Sequence, residues 1–256
     1  MAWLGGTGAD PLALLACGLA VALGALVQGV IGFGLALLAV PVLAWLAPET
    51  VPVGVLVAVM PLLVVAALRE RSHVDLRGIG WALVGRVPGG TAGALAVAVL
   101  PVRGLQLLVA GTVGLAVVAA VVADRATSAV AGPPPKVRRT TLALAGALSG
   151  LGGTTSGIGG PPMGIAFRNS GGPAIRSTLA AFFVVGALLS LGSLAVVGEV
   201  TAPRLLAGVA LVPFVGVGYL ASGWLRPRVR PQVLRGAVLA LSGTSAVVLL
   251  VVALRG

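Results

Sequence analysis

The sequence predicts an all-α polytopic membrane protein made of two inverted repeats, each a glycine-broken helical hairpin followed by three transmembrane helices. The first observation behind this prediction is composition: of 256 residues, 58% are hydrophobic and only 9% are charged, whereas a soluble domain carries about 25% charged residues. The second is a succession of apolar segments, several near the ~20 residues that cross hydrocarbon. The third is an internal offset of 125 residues, which is the separation of Gly32 from Gly157.

The first membrane repeat is predicted over residues 1–122. It opens with an apolar segment at 11–29 that is typical of a helix. Gly29, Gly32 and Gly34 then follow closely, and because glycine is poor in a helix interior, we expect the helix to stop and restart within the membrane. The remaining apolar segments of this half lie at about 35–46, 50–68, 79–100 and 105–122.

A proline-rich linker, predicted over residues 123–140 on the cytoplasmic side, separates the two halves. Pro133, Pro134 and Pro135 form a stiff triplet that breaks any helix, and basic residues follow it. The second membrane repeat, predicted over 141–256, has the same plan. Its apolar segments lie at about 141–156, 174–197, 204–224 and 232–254, with a glycine break and a short piece to about 167 after the first of them.

The two halves share more than their glycine breaks. The same offset pairs Pro88 with Pro213, and Gly93 with Gly218. Chance matches are frequent in a chain with 39 glycines. A shared offset at separate places, with the same order of segments, nevertheless favours a duplication.

The lysines and arginines predict that the halves are inverted. If each glycine break is the turn of a hairpin, the chain returns to the side it came from, and 13 basic residues fall on one side of the membrane against 3 on the other. If each broken helix instead crosses once, the split is 9 against 7. The positive-inside rule favours the hairpins, with both termini extracytoplasmic. The rule leaves open whether the hairpins are re-entrant or cross fully, because both return the chain to the same side of the membrane.

Paired helix breaks within inverted repeats are typical of a secondary transporter, whose substrate binds near the midplane between the repeats. A helix that restarts inside the membrane presents unpaired N–H groups and a partial positive charge, which an anion satisfies best. The hydroxyl and amide side chains beside the breaks are neutral, and no carboxylate that would favour a cation lies near them. The alternative is that the glycines only permit close helix packing.

Arg86 is the only basic residue inside a long apolar segment, and intramembrane charges are functional candidates. Its position near the cytoplasmic end of that segment also allows its side chain to snorkel to the surface. Leu211 stands at the equivalent position of the second half, so Arg86 cannot belong to a symmetric site. The predicted substrate-binding residues are Gln28, Gly32, Phe33, Gly34, Arg86, Thr154, Thr155, Ser156, Gly157, Gly159 and Gly160.

Other classes of function find little support in the sequence. The net charge of +11 comes from basic residues in short loops, as in cytoplasmic loops of membrane proteins, and not from a nucleic-acid-binding surface. Six acidic residues and a single histidine leave little material for a metal site or acid–base chemistry. Ser156 followed by Gly157 is similar to the nucleophile of an intramembrane hydrolase, but such a site needs a nearby base and His73 lies in a loop. No catalytic residue, metal site or cofactor is predicted.

The paired motifs resemble the TauE/SafE family of sulfite and organosulfonate exporters. The first is Gly29-x-x-Gly32-Phe33-Gly34-x(6)-Pro41, and the second is Gly150-Leu151-x(5)-Gly157-Ile158-Gly159-Gly160-Pro161-Pro162. The loop His73-Val74-Asp75 before a glycine-rich helix, and the plan of two similar halves, also agree with that family. The first motif departs from the family's usual pattern, since Phe33 and Leu35 stand where small residues are common.

The resemblance implies export, without ATP, of sulfite or of an organosulfonate such as sulfoacetate. Composition and spacing alone predict only a site suited to an anion. The sequence thus predicts a non-enzymatic, multi-pass protein of the plasma membrane, with a small anion and the bilayer as partners and a homodimer left open. The alternatives are a passive anion channel and a permease for another small metabolite, neutral or cationic.

Overall fold

The computed structural model describes residues 11–69, 71–101, 138–167 and 172–225, together with scattered positions within 103–122 and 228–251. The continuous parts are helical and contain no strand. Most of the predicted linker, residues 123–137, lies outside the described residues. The helices are α1 (Pro11–Ile31), α2 (Leu35–Leu46), α3 (Val53–Arg69), α4 (Leu76–Val99), α5 (Arg139–Ser156), α6 (Gly160–Ala166), α7 (Gly172–Val196) and α8 (Ala202–Leu225).

Four of these helices are long and apolar enough to cross a membrane. They cover Leu12–Ile31, Leu76–Val99, Ala174–Val196 and Ala202–Leu225. The helices at Leu35–Leu46 and Val53–Arg69 are also apolar but shorter. In its described parts the chain is therefore an all-helical protein with several apolar helices, as a multi-pass membrane protein requires.

The outer face of α1 is typical of a helix that contacts lipid. Leu12, Leu15, Leu19 and Leu23 recur every three or four residues and are each more than half exposed. In water such a stripe would be an aggregation-prone patch, whereas lipid chains solvate it. The opposite face of α1 is buried against the rest of the protein.

The first glycine break reverses the direction of the chain. Gly32 and Gly34 have φ angles of 101° and 129°, which other residues rarely adopt. A Cβ atom built on Gly24 would lie only 2.6 Å from the carbonyl oxygen of Leu35. Because Gly24 lies two turns before the end of α1, the first residue of α2 has doubled back alongside α1.

The second glycine break makes the same reversal. The helix α5 ends at Gly157, whose φ of 77° is left-handed, and the N–H of Ile158 donates to the carbonyl of Gly152 over 3.1 Å. This bond spans six residues, as in the common glycine-terminated helix end. A Cβ atom built on Gly159 would lie 2.9 Å from the carbonyl oxygen of Ser149, so the chain again returns beside its own helix.

The closest helix contacts join one half of the chain to the other. The helices α4 and α5 pack through glycines: Gly85 meets the backbone of Ala143, and a Cβ on Gly93 would lie 2.9 Å from the carbonyl oxygen of Leu151. Since the residue numbers rise together, α4 and α5 are parallel. Small residues at such a contact let two backbones approach closely.

The pair α1 and α8 repeats this arrangement. A Cβ on Gly18 would lie 2.7 Å from Cδ1 of Phe214, and Gly29 meets the side chain of Ser222. These helices are parallel as well. The helix α3 packs against both α7 and α8, so that the helices of the two halves alternate around the centre of the molecule.

The helix α4 begins earlier than the sequence predicted. The apolar segment was expected from about residue 79, whereas the helix starts at Leu76. The carboxylate of Asp75 accepts a hydrogen bond from the N–H of Gly78 over 2.9 Å, which caps the helix. The N–H of Asp75 in turn donates to the hydroxyl of Thr178 over 3.0 Å, which fixes this loop against α7.

Candidate functional site

A cavity of about 60 Å³ lies between the two hairpin turns. This volume has room for a few water molecules or one small oxyanion. Residues of α3 and α7 form its walls, and Arg86 of α4 reaches into it. Seven of the residues predicted from the sequence line it: Gln28, Phe33, Gly34, Arg86, Gly157, Gly159 and Gly160.

Phe33 brings the two turns into contact. A Cβ atom built on Gly160 would lie 3.0 Å from its Cδ2, and one built on Gly164 would lie 3.0 Å from its Cε1. The ring therefore lies across the glycine face of α6. A larger residue at either glycine would push the two hairpins apart, which explains why small residues are needed here.

Arg86 is buried, with 3% of its surface exposed. Its Nη1 donates to the carbonyl oxygen and to the hydroxyl of Ser149, both at 2.8 Å. Its Nη2 donates to the hydroxyl of Ser190 at 3.2 Å, and its Cζ lies 5.3 Å from the ring centroid of Phe182. The side chain therefore points into the protein and does not snorkel to the surface.

The positive charge of Arg86 has no carboxylate partner among the described residues. The ion pair described in this part of the chain joins Arg204 to Glu199, and both belong to the region around the start of α8. The Nε atom of Arg86 is also buried without a hydrogen-bond partner. A guanidinium inside the membrane thus keeps both a charge and a donor available to the cavity.

Two glycines make room for this guanidinium. A Cβ atom on Gly153 would lie 3.0 Å from both terminal nitrogens of Arg86, and one on Gly186 would lie 2.6 Å from its Cζ. Neither Gly153 nor Gly186 was predicted to belong to the site. Both glycines have ordinary helical backbones, so no turn marked them in the sequence. Only their contact with Arg86 identifies them as residues of the site.

The backbone offers fewer free donors than the sequence suggested. The N–H of Leu35, at the start of α2, donates to the Oε1 atom of Gln28 over 3.1 Å. At the start of α6, Pro161 and Pro162 occupy the positions after Gly160, and proline has no N–H to donate. The side chains of Arg86 and Gln28 add donors to those that the backbone leaves at this cavity.

The predicted hydroxyl residues do not line the cavity. Thr155 donates to the carbonyl of Leu151 over 2.8 Å, and Ser156 donates to that of Gly152 over 2.9 Å. Thr154 and Ser190 share a hydrogen bond of 2.7 Å between their hydroxyls. Ser190 also accepts a hydrogen bond from Arg86, so Thr154 contacts the guanidinium indirectly, through Ser190.

Gly32 lies beside a neighbouring cavity that it shares with Gln28. The sequence reasoning missed Ser149 and Ser190, the two partners of Arg86. The residue equivalent to Ser149 in the first half is Gly24, so a search for matching positions could not find it. Ser190 falls within a long apolar run, where a single serine is unremarkable.

Residues 16–249 match the protein family described as "Sulfite exporter TauE/SafE". No curated protein and no solved structure matches the chain. The match confirms the resemblance that the glycine motifs indicated. Since it covers nearly the whole sequence, the protein belongs to the TauE/SafE sulfite exporter family, which is a family of membrane transporters and not of enzymes.

Proposed function

We propose that the protein is a secondary transporter that exports a small anion, sulfite or an organosulfonate such as sulfoacetate, and binds it between the two hairpin turns. The observation that carries this proposal is the guanidinium of Arg86, which is 3% exposed and faces a cavity of about 60 Å³. Family membership supports the transport of a sulfur anion.

The electrostatics of the cavity favour an oxyanion. An uncompensated charge in the membrane interior costs several kcal/mol, and a bound anion offsets that cost. A guanidinium presents planar donors that match the geometry of oxyanions. The Nε atom of Arg86, without a partner among the described residues, can complete its hydrogen bonding with an anion. A cation would instead add a second positive charge.

The helix directions support an inverted arrangement of the two halves. Each hairpin returns the chain to the side it came from, so α3 runs in the same direction as α1 and α4 runs in the opposite one. Since α5 is parallel to α4, it opposes α1. The unequal distribution of basic residues, 13 against 3, agrees with this arrangement. Alternating access then follows from movement of one repeat against the other.

The membrane potential favours export. An anion that leaves a negatively charged interior gains roughly 2.3 kcal/mol per charge and per 100 mV. A doubly charged oxyanion gains twice that amount. Export therefore needs no nucleotide, and no buried carboxylate is required as a proton carrier.

The test compares purified wild-type protein with Arg86→Gln and Arg139→Gln variants. Arg139 is the matched control because it also stacks on an aromatic ring, with its Cζ 5.0 Å from the centroid of Trp81, but lies outside the cavity. We expect sulfite or a sulfonate to raise the melting temperature of wild type and Arg139→Gln, and not that of Arg86→Gln. The panel also contains sulfate, phosphate, acetate and taurine.

Flux into proteoliposomes completes the test. We expect saturable sulfite transport by the wild type and a loss of at least about 100-fold in Arg86→Gln, since removing a charged hydrogen-bond donor costs roughly 3 kcal/mol. An Arg86→Gln variant that folds and transports sulfite at the wild-type rate would contradict the proposal. Single-channel currents in the wild type would instead favour a passive pore.

A further inference from the structure

Phe33 and Ile158 occupy equivalent positions at the tips of the two hairpin turns. They are separated by the offset of 125 residues that relates the halves, and each follows the glycine that begins its turn. Both line the cavity that Arg86 enters. Ile158 is buried and Phe33 is half-buried. Each turn therefore contributes one apolar side chain to the cavity wall, and the larger one comes from the first turn.

The ring of Phe33 is held by contacts to both hairpins. It packs against the hydrophobic cluster that contains Leu35 and also against the cluster that contains Met163. A Cβ atom built on Gly160 or on Gly164 would lie 3.0 Å from one of its ring carbons. The ring therefore has little room to swing away, and it forms a fixed part of the wall.

The ring of Phe33 and the guanidinium of Arg86 lie against two adjacent residues. A Cβ atom on Gly159 would lie 3.1 Å from Nη1 of Arg86, and one on Gly160 would lie 3.0 Å from Cδ2 of Phe33. Consecutive Cα atoms are only about 3.8 Å apart. An anion that the guanidinium holds in this cavity therefore lies close to the phenyl ring.

The size of the cavity suits an inorganic oxyanion better than an organosulfonate. One water molecule needs about 10–15 Å³ of a cavity measured in this way. The volume of about 60 Å³ therefore holds roughly four to six groups of that size. Sulfite, with three oxygens around one sulfur, fits such a space. Sulfoacetate has a methylene and a carboxylate in addition to its sulfonate group, and exceeds it.

The remaining wall would not reject a hydrocarbon tail by its chemistry. Val55 and Val59 of α3 and Phe183 and Ala187 of α7 line the cavity, and all four are apolar. Apolar side chains favour contact with an alkyl group over contact with water. Only lack of volume can therefore exclude such a tail, and at the turns the ring of Phe33 takes up that volume.

We propose that Phe33 determines the size of the substrate: its ring leaves room for a sulfite-sized oxyanion beside Arg86 and excludes the carbon tail of an organosulfonate. This inference rests on the proposed function and narrows its substrate class to a small inorganic oxyanion. It separates the two tasks of the site, because Arg86 supplies the charge and Phe33 sets the length that fits.

The test uses a series of anions that share one headgroup and one charge. Transport of radiolabelled methanesulfonate, ethanesulfonate and propanesulfonate into proteoliposomes is compared with transport of sulfite. Because only the length of the tail changes along the series, it separates volume from charge. For the wild type we expect kcat/KM to fall by about tenfold or more with each methylene beyond methanesulfonate.

Phe33→Ala and Phe33→Leu test the ring itself. In Phe33→Ala we expect the ratio of kcat/KM for sulfite to that for propanesulfonate to fall by about tenfold or more, because the tail gains the space of the ring. Phe33→Leu should change the ratio less and in the same direction, and it keeps an apolar group between the clusters if the alanine variant folds poorly. Phe214→Leu is the matched control, since Phe214 is also half-buried but does not line this cavity.

Thermal stabilisation by sulfite separates this inference from the proposed function. We expect sulfite to raise the melting temperature of Phe33→Leu and Phe214→Leu, since both retain Arg86, and propanesulfonate to raise only that of the Phe33 variants. If the wild type transports propanesulfonate as well as sulfite, or if the folded Phe33 variants discriminate as the wild type does, the steric role is wrong and the proposed function stands. If the wild type neither binds nor transports any anion, the proposed function itself fails.

Discussion

At the scale of single residues, Arg86 is held by serines where a soluble protein would use a carboxylate. Ser149 and Ser190 lie 63 and 104 positions further along the chain, and neither neutralises the charge. The guanidinium is therefore fixed in position but still electrically uncompensated. This combination suits a site that must bind an anion and also release it, because a carboxylate in the same place would compete with the substrate.

Gly186→Ala tests how closely the guanidinium must be positioned. The new Cβ would meet the flexible end of Arg86, 2.6 Å from Cζ, so the arginine is displaced while the helix remains. We expect the affinity for sulfite to fall roughly tenfold, or about 1.4 kcal/mol, in calorimetric titrations. Gly192→Ala on the same helix meets no atom within 4 Å and is the control. Equal affinities in the two variants would contradict the positioning role.

Gln28→Glu tests whether the anion binds beside Gln28, which lines the central cavity. The carboxylate keeps an oxygen for the N–H of Leu35, so the start of α2 stays capped, but it replaces the NH₂ donor by a negative charge. We expect sulfite flux to fall by an order of magnitude or more, because like charges repel strongly at low dielectric. Gln28→Met, which removes the donor without adding charge, should lose less. Wild-type flux in Gln28→Glu would show that the anion does not bind beside this residue.

At the scale of helices, glycines determine both where a helix turns and how closely two helices pack. The turns at Gly32 and Gly157 share positive φ angles of 101° and 77°, which local sequence dictates. The contact between α4 and α5 uses glycines differently, since Gly85 and Gly146 have ordinary helical backbones. At these two positions a Cβ atom would overlap the backbone of the partner helix, so only glycine fits.

Gly85→Ala measures the stability that this close contact supplies. The added Cβ would overlap the backbone of Ala143, with the carbonyl carbon 2.7 Å away, and overpacking of this kind costs about 1–3 kcal/mol. We expect a lower melting temperature in detergent. Gly80→Ala on the same helix meets nothing within 4 Å and should be neutral or stabilising by up to about 1 kcal/mol. Equal melting temperatures would show that α4 and α5 can separate without cost.

At the scale of the whole molecule, the helix pairs are reciprocal. The first helix of each half packs in parallel on the fourth described helix of the other half, as α1 does on α8 and α5 on α4. Both hairpin turns then reach the same central cavity. This exchange joins the two halves of the chain around Arg86.

Single cysteines test the proposed inversion. In a Cys17→Ala background, Ser72→Cys lies in the loop before α4 and Thr201→Cys in the loop before α8, and both positions are exposed. If the halves are inverted, a membrane-impermeant thiol reagent labels Ser72→Cys only from the cytoplasm and Thr201→Cys only from outside. Parallel halves would place both cysteines on the same side. Labelling of both cysteines from the same side would therefore overturn the inverted arrangement.

The sequence by itself determined the elements that depend on local chemistry. In the continuous described parts, the apolar segments predicted the helices to within a few residues, because in lipid the backbone groups can hydrogen-bond only with one another. The predicted segments at 105–122 and 232–254 lie mostly outside the described residues. The glycines predicted the breaks, because only glycine adopts the φ of 129° found at Gly34 without strain. The same glycine motifs indicated the family, which the match over residues 16–249 confirms. The inverted arrangement stays a prediction of the charge distribution.

Only the tertiary structure decided which side chains meet. It turned Arg86 inward to Ser149 and Ser190, although its place in the helix equally allowed the surface. In the folded protein the N–H of Leu35 donates to Gln28. The hydroxyls of Thr155 and Ser156 donate to carbonyls of their own helix and do not line the cavity. Helix ends follow from the backbone preferences of adjacent residues. Cavities and hydrogen bonds between distant helices follow from how those helices pack, which no local pattern encodes.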